Sequence, residues 1–232
     1  MGQTVQFQRP DGASVNGYLA EAAQPIGAVV VIQEWWGLND QIRGVGDRFA
    51  VAGFTALVPD LYRGKSTMEA EEAHHLMENL NFGDAASNDV RGAVAFLKAR
   101  AIGSGKVGVT GYCMGGALTI LSLMLAPEAD AGVAWYGLPP LEFVDAAKIG
   151  QRPLMGHWAT QDAAFPIASV DALEAKLREA GVRYEGHRYL AHHAFANETA
   201  VGPRRIAVTQ YDAVWAQLAW DRTMRFFGQH LG

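Results

Sequence analysis

The chain has a single cysteine in 232 residues, so no internal disulfide can form and no cysteine-built metal cage is possible. No apolar run reaches the length that spanning a bilayer requires. Basic clusters are also missing. The 19 Lys and Arg residues are scattered and outnumbered by 24 acidic ones, and a formal net charge of −5 leaves no electrostatic footprint for nucleic acid or for an anionic membrane surface. The first residues, MGQTVQFQRPDG, show no basic n-region, apolar h-region or cleavage site, and no Ser or Thr at the sixth position of a myristoylation signal. There is no P-loop and no G-x-G-x-x-G after a strand, so no nucleotide, metal or other cofactor is expected. A cytoplasmic, reducing compartment is the expected location, one that keeps a lone thiol usable. A monomer is expected in preference to an obligate oligomer.

What the chain does have is apolar material. Half of its residues are hydrophobic and only 19% are charged, enough for a substantial core. Thr4–Phe7 and Val15–Leu19 flank the turn signal Arg9-Pro-Asp-Gly and read as an opening hairpin. Ala28–Gln33 (AVVVIQ) has no polar face, as in a strand covered on both sides. Phe54–Pro59, Val107–Thr110, Ala131–Tyr136, Pro153–Trp158 and Arg183–Tyr189 read as further strands. Helical spacing runs from Gln41 to Ala52, in two patterns between Met68 and Arg100 broken near Asn81, from Gly115 to Ala126, from Val170 to Ala180, and from about Thr209 to His230. Strands alternating with helices predict a mostly parallel central sheet covered by helices on both faces. With no repeat, low-complexity tract or linker-like break, residues 1–232 are expected to form a single α/β domain.

Gly111-Tyr112-Cys113-Met114-Gly115-Gly116 is a G-x-C-x-G-G version of the nucleophile elbow, with a strand before it and an apolar helix after it. A nucleophile on such a turn has a strained backbone, and its neighbours two positions away must be small enough to approach adjacent strands. The helix N-terminus would stabilise a thiolate and a developing oxyanion. Without this context, Cys113 would read as a small buried hydrophobe. An elbow nucleophile needs an acid and a base, in the chain order nucleophile, acid, histidine. Asp162 follows the strand at Pro153–Trp158, where an isolated Asp would otherwise read as a turn or cap residue. His192 and His193 follow the strand at Arg183–Tyr189. One of them is the expected general base, since adjacent side chains point in different directions. The loop Gln33-Glu34-Trp35-Trp36-Gly37 follows the buried strand AVVVIQ, so Trp35 N–H and Met114 N–H form the candidate oxyanion pair. Glu34 is a carboxylate at the end of an apolar run, where burial is costly unless it is paired. Trp35, Trp36, Trp135, Tyr136 and Trp158 fall near strand ends, as pocket lining or as plain core.

Together, QEWWGLN, PDLYRG, VGVTGYCMGG, AWYG, the Gln161-Asp162 loop and His193-Ala194-Phe195 resemble the dienelactone hydrolase family of the α/β-hydrolases, in the family's order and over nearly the whole chain. The resemblance implies an α/β-hydrolase fold with Cys113 as nucleophile, Asp162 as triad acid and His193, selected by the pattern His-x-Phe, as triad histidine. It implies that Glu34 is the loop glutamate that contacts the resting thiol and helps to activate it. The implied activity is hydrolysis of an ester or lactone bond of a small, dienelactone-type substrate through an acyl-enzyme. Family members that cleave carboxylated butenolides hold the carboxylate with arginines, one of them two residues after that Phe. Here the position is Asn197. Arg63, and Arg204 or Arg205, are the candidate replacements, and Trp36, Tyr136 and Asn197 are further candidates for substrate contact. The departure at Asn197 favours the alternative of a carboxylesterase or thioesterase for uncharged acyl substrates. A non-catalytic ligand-binding member is a third possibility.

Overall fold

A computed structural model describes residues 2–202 and 205–232. The antiparallel hairpin of β1 (Gln3–Gln8) and β2 (Ser14–Ala20) opens the chain. Its turn closes with Arg9 N–H donating to Ala13 O at 2.8 Å, and Gly12 takes the positive φ of 85° that the tight reversal needs. Then follow β3 (Gly27–Ile32), α1 (Asp40–Val51), β4 (Phe54–Pro59) and α2 (Ala70–Glu78). The short α3 (Phe82–Asp84) passes through a π-helical turn at Ala85–Val90 into α4 (Arg91–Ala99). The second half holds β5 (Val107–Tyr112), α5 (Met114–Leu125), β6 (Ala131–Trp135), β7 (Leu154–Ala159), α6 (Ile167–Glu179), β8 (Tyr184–Tyr189) and α7 (Ala213–Leu231).

The strands form one eight-stranded sheet in the order β1-β2-β4-β3-β5-β6-β7-β8. The β1–β2 and β2–β4 pairings are antiparallel, and every pairing from β4 through β8 is parallel. The absence of a polar face in AVVVIQ is explained by alternation between two cores. Ala28, Val30 and Ile32 pack under α4 and α5, whereas Val29 and Val31 pack against Phe49 of α1 and Phe227 of α7. Among the described residues no helix is long and apolar enough to cross a membrane.

The helix break expected near Asn81 is present, and one helix start differs from the expectation. The break near Asn81 is a cap: Asn81 Oδ1 accepts from Asp84 N–H at 3.0 Å and starts α3. The last helix begins at Ala213 rather than near Thr209, because Asp212 Oδ1 accepts from the N–H groups of Val214 and Trp215, both at 3.1 Å. An Asp with extended backbone (φ −133°, ψ 105°) ends the preceding loop there, although the apolar pattern reads through it.

Candidate active site

The turn from β5 into α5 holds Cys113 at φ 54° and ψ −117°. A non-glycine residue in that region costs of order 1–3 kcal/mol and persists only where its surroundings enforce it. They do so here. Cys113 N–H donates to Trp135 O at 3.0 Å, and Cys113 O accepts from Gly116 N–H at 2.9 Å. A methyl on Gly115 would lie 2.5 Å from Ile32 O, and one on Gly111 would strike the backbone of Gly115. Gly137, which the sequence reading passed over, faces Cys113 O so closely that no side chain fits.

Two loops at the carboxyl end of the sheet converge on the thiol. After β7, Asp162 Oδ1 accepts from the N–H groups of Ala164 and Phe165, both at 2.8 Å, which leaves Oδ2 facing His193 Nδ1 at 2.8 Å. After β8, His193 turns its other nitrogen, Nε2, to within 3.1 Å of Cys113 Sγ. His193 and Asp162 are both buried. Burial alone would depress the imidazole, but the electrostatic influence of Cys113 and the hydrogen bond that Nδ1 donates to Asp162 outweigh it and hold His193 well above its ordinary value. His192 diverges, its Nδ1 lying 3.2 Å from Gln161 O. Among the described residues, no three His, Cys, Asp or Glu side chains are grouped as a metal site.

A cavity of about 320 Å³ opens above Cys113, bounded by Glu34, Trp35, Trp36, Met114 and His193 together with Met77, Phe82, Leu138, Pro139, Phe165 and Ile206. Trp35 packs edge-on against Trp36, with ring centroids 5.1 Å apart. Among the described residues, the N–H groups of Trp35 and Met114 have no backbone carbonyl partner, so both are free to donate. Trp135 and Trp158 belong to the core instead, each 1% exposed.

Three residues expected at the substrate stand elsewhere. Tyr136 and Asn197 are buried outside the cavity wall and hold Glu34, Tyr136 O–H donating to Oε1 at 3.1 Å and Asn197 Nδ2 to Oε2 at 2.7 Å. Position 197 therefore faces the carboxylate of Glu34 and not a ligand. Burial raises the Glu34 carboxyl, against the lowering influence of His193, Asn197 and Tyr136. Arg63 is also off the wall. Its guanidinium donates to Asp60 O at 2.8 Å and to the buried carboxylate of Asp89 at 2.8 Å, because Asp89 needs a cation more than the open cavity does. Arg205 turns back on its own loop and donates to Ala207 O at 3.0 Å, and Arg204 lies outside the described residues. The apolar wall residues Met77, Phe82, Leu138 and Ile206 come from loops and short helices. They carry no periodic signal that would have marked them.

The parallel sheet, the strained elbow and the acid and histidine loops beyond the strand ends define an α/β-hydrolase. Within that class, the family model for the dienelactone hydrolase family matches residues 15–231, and the chain belongs to this family and with it to the carboxylic ester hydrolases. It is 36% identical over the full length of both chains to Protein usf of Aquifex pyrophilus. It is 32% identical, again end to end, to a protein of Aquifex aeolicus provisionally named carboxymethylenebutenolidase. Among solved structures, a provisionally titled dienelactone hydrolase of Klebsiella pneumoniae superposes with a TM-score of 0.81 at 25% identity, covering 99% of this chain and 100% of that one.

Proposed function

We propose that the protein hydrolyses an ester or lactone bond of a small substrate through a Cys113–His193–Asp162 triad and an acyl-enzyme. The observation that carries this reading is the unbroken chain Sγ···Nε2 at 3.1 Å and Nδ1···Oδ2 at 2.8 Å, ending on a thiol at the floor of a cavity. Cys113 Sγ attacks the carbonyl carbon, while the carbonyl oxygen takes up negative charge against the N–H groups of Trp35 and Met114. His193, carrying the thiol proton, passes it to the departing oxygen as the C–O bond breaks, and Asp162 holds the ring in register. Water then attacks the thioester with His193 as base, the acid leaves, and the proton returns to sulfur. Glu34, on the same cavity wall, is the candidate activator of the thiol. Its hydrogen bonds to Tyr136 and Asn197 keep it parked in the resting site. Glu34→Gln should then suppress turnover while leaving the melting temperature close to the parent.

One observation favours uncharged acyl substrates over carboxylated lactones: no Arg or Lys among the described residues lines the cavity, so a carboxylate would enter without a charge-assisted partner. The test is a panel of a carboxylated dienelactone, an uncharged lactone, a short p-nitrophenyl ester and an acyl thioester, with Cys113→Ala beside the parent. The neutral substrates should have the higher kcat/KM. Turnover of the dienelactone alone would reverse the substrate assignment. Failure of all four, together with slow labelling by iodoacetamide at neutral pH, would mark a non-catalytic binding member.

A further inference from the structure

A second cavity, of about 770 Å³, adjoins the one above Cys113, and Phe82, Pro139 and Pro140 belong to both walls. Its interior is apolar. Leu121, Met124 and Leu125 line one side and Phe143 and Val144 another, while the charged groups sit in the Glu142, Asp145 and Lys148 segment. Lys148 and Asp145 face each other at 3.4 Å, which leaves Glu142 as the one uncompensated charge of that segment. Phe143 is 64% exposed, a large ring left in contact with water.

The two cavities share more than a partition. Met114 and Ala117 of α5 line the first, and Leu121, Met124 and Leu125 of the same helix line the second. Steps of three and four residues place these side chains on one face, so the helix that begins beside Cys113 offers an apolar stripe leading away from it. From Ala117 to Leu125 this stripe rises about 12 Å at about 1.5 Å per residue. A compact lactone would leave the second cavity empty.

Building on the ester-hydrolase reading above, we propose that the substrate is a neutral ester with an extended apolar arm. The arm leaves the Cys113 cavity across Phe82, Pro139 and Pro140 and lies along the Leu121–Leu125 stretch of α5. It belongs to either the acyl or the alcohol half of the ester, and each half can be lengthened separately. Burying a methylene is worth roughly a three- to fourfold gain in kcat/KM.

The experiment measures kcat/KM for p-nitrophenyl acetate, butyrate, hexanoate and octanoate, and for acetate esters of primary alcohols of matching lengths, below their aggregation limits. One series should climb by roughly three- to fourfold per methylene once the chain passes the partition. Phe143→Asp and Met124→Glu, each checked by thermal melting, should flatten that climb, lowering the ratio of longest to shortest substrate by roughly tenfold as a charge replaces apolar wall. Flat or falling series in both halves, with acetate still turned over, would overturn the arm while leaving the hydrolase reading in place. A climb that neither variant alters would remove the second cavity from the explanation. No turnover of any ester by the parent enzyme would instead sink the ester-hydrolase reading on which the arm depends.

Discussion

Of the five non-glycine residues with positive φ among the described residues, three cluster at the site: Cys113 at 54°, Tyr136 at 37° and Ala194 at 57°. Each side chain or its neighbour is aimed by that strain: the thiol at the cavity, the Tyr136 hydroxyl at Glu34, and His193 at the sulfur. His193 has the electrostatics that follow from its partners. The group is raised above its usual range, so it releases its proton at a higher pH than an unperturbed imidazole does. Removing the charge of Cys113 removes a raising influence, so in Cys113→Ala the His193 ring should titrate at lower pH than in the parent. Histidine NMR signals followed through a pH series would read this, and an unchanged midpoint would mean that the thiol does not bear on the ring. Asp162→Asn should keep the geometry of the loop but hold the imidazole in the wrong tautomer, lowering kcat by roughly 10³- to 10⁴-fold. A loss under about tenfold, read by steady-state kinetics, would remove Asp162 from the relay.

At the scale of elements, the elbow works because backbone meets backbone where β5 turns into α5. Gly137, two residues beyond β6, lies against Cys113 O with no room for a side chain, so Gly137→Ala should cost roughly 1–3 kcal/mol and depress activity with it. A melting temperature equal to the parent's would mean that the contact is looser than it stands. Asp212→Ala should cost α7 about 1 kcal/mol through the loss of two cap acceptances, measurable by denaturant unfolding. Much of this level was legible in the chain. The apolar runs at 28–33, 54–59 and 107–110 announced buried strands, and the glycines of GYCMGG announced close approach. Gly137 was not legible, because its partner is 24 positions away and only the sheet order brings β6 beside β5. The Asp212 cap was blurred for a different reason. Hydrophobic spacing continues past it, and only a side-chain hydrogen bond decides where the helix begins.

For the molecule as a whole, the sheet divides two cores and gathers the candidate site at the carboxyl end of its strands, where the loops after β3, β5, β7 and β8 meet. Chain order and motif were enough to bring Cys113, Asp162, His193 and Glu34 into one expectation. The surroundings were not readable in the same way. Asn197 and Tyr136 turn inward to a buried carboxylate, and Arg63 turns to Asp89, because unpaired buried charge outbids a solvent-facing cavity for polar partners. Which partner wins depends on contacts as distant as Glu34 and Asn197, 163 positions apart, which no local pattern encodes. The cavity wall that results, without Arg or Lys among the described residues, is a property of the assembled fold. The most direct measurement of the central claim is the kcat/KM of Cys113→Ala for p-nitrophenyl acetate, with a melting curve to show that the variant is folded. A folded variant with its rate reduced by roughly 10³-fold or more is the predicted result. A folded variant that hydrolyses the ester at the parent's rate would contradict it and place the chemistry on another residue.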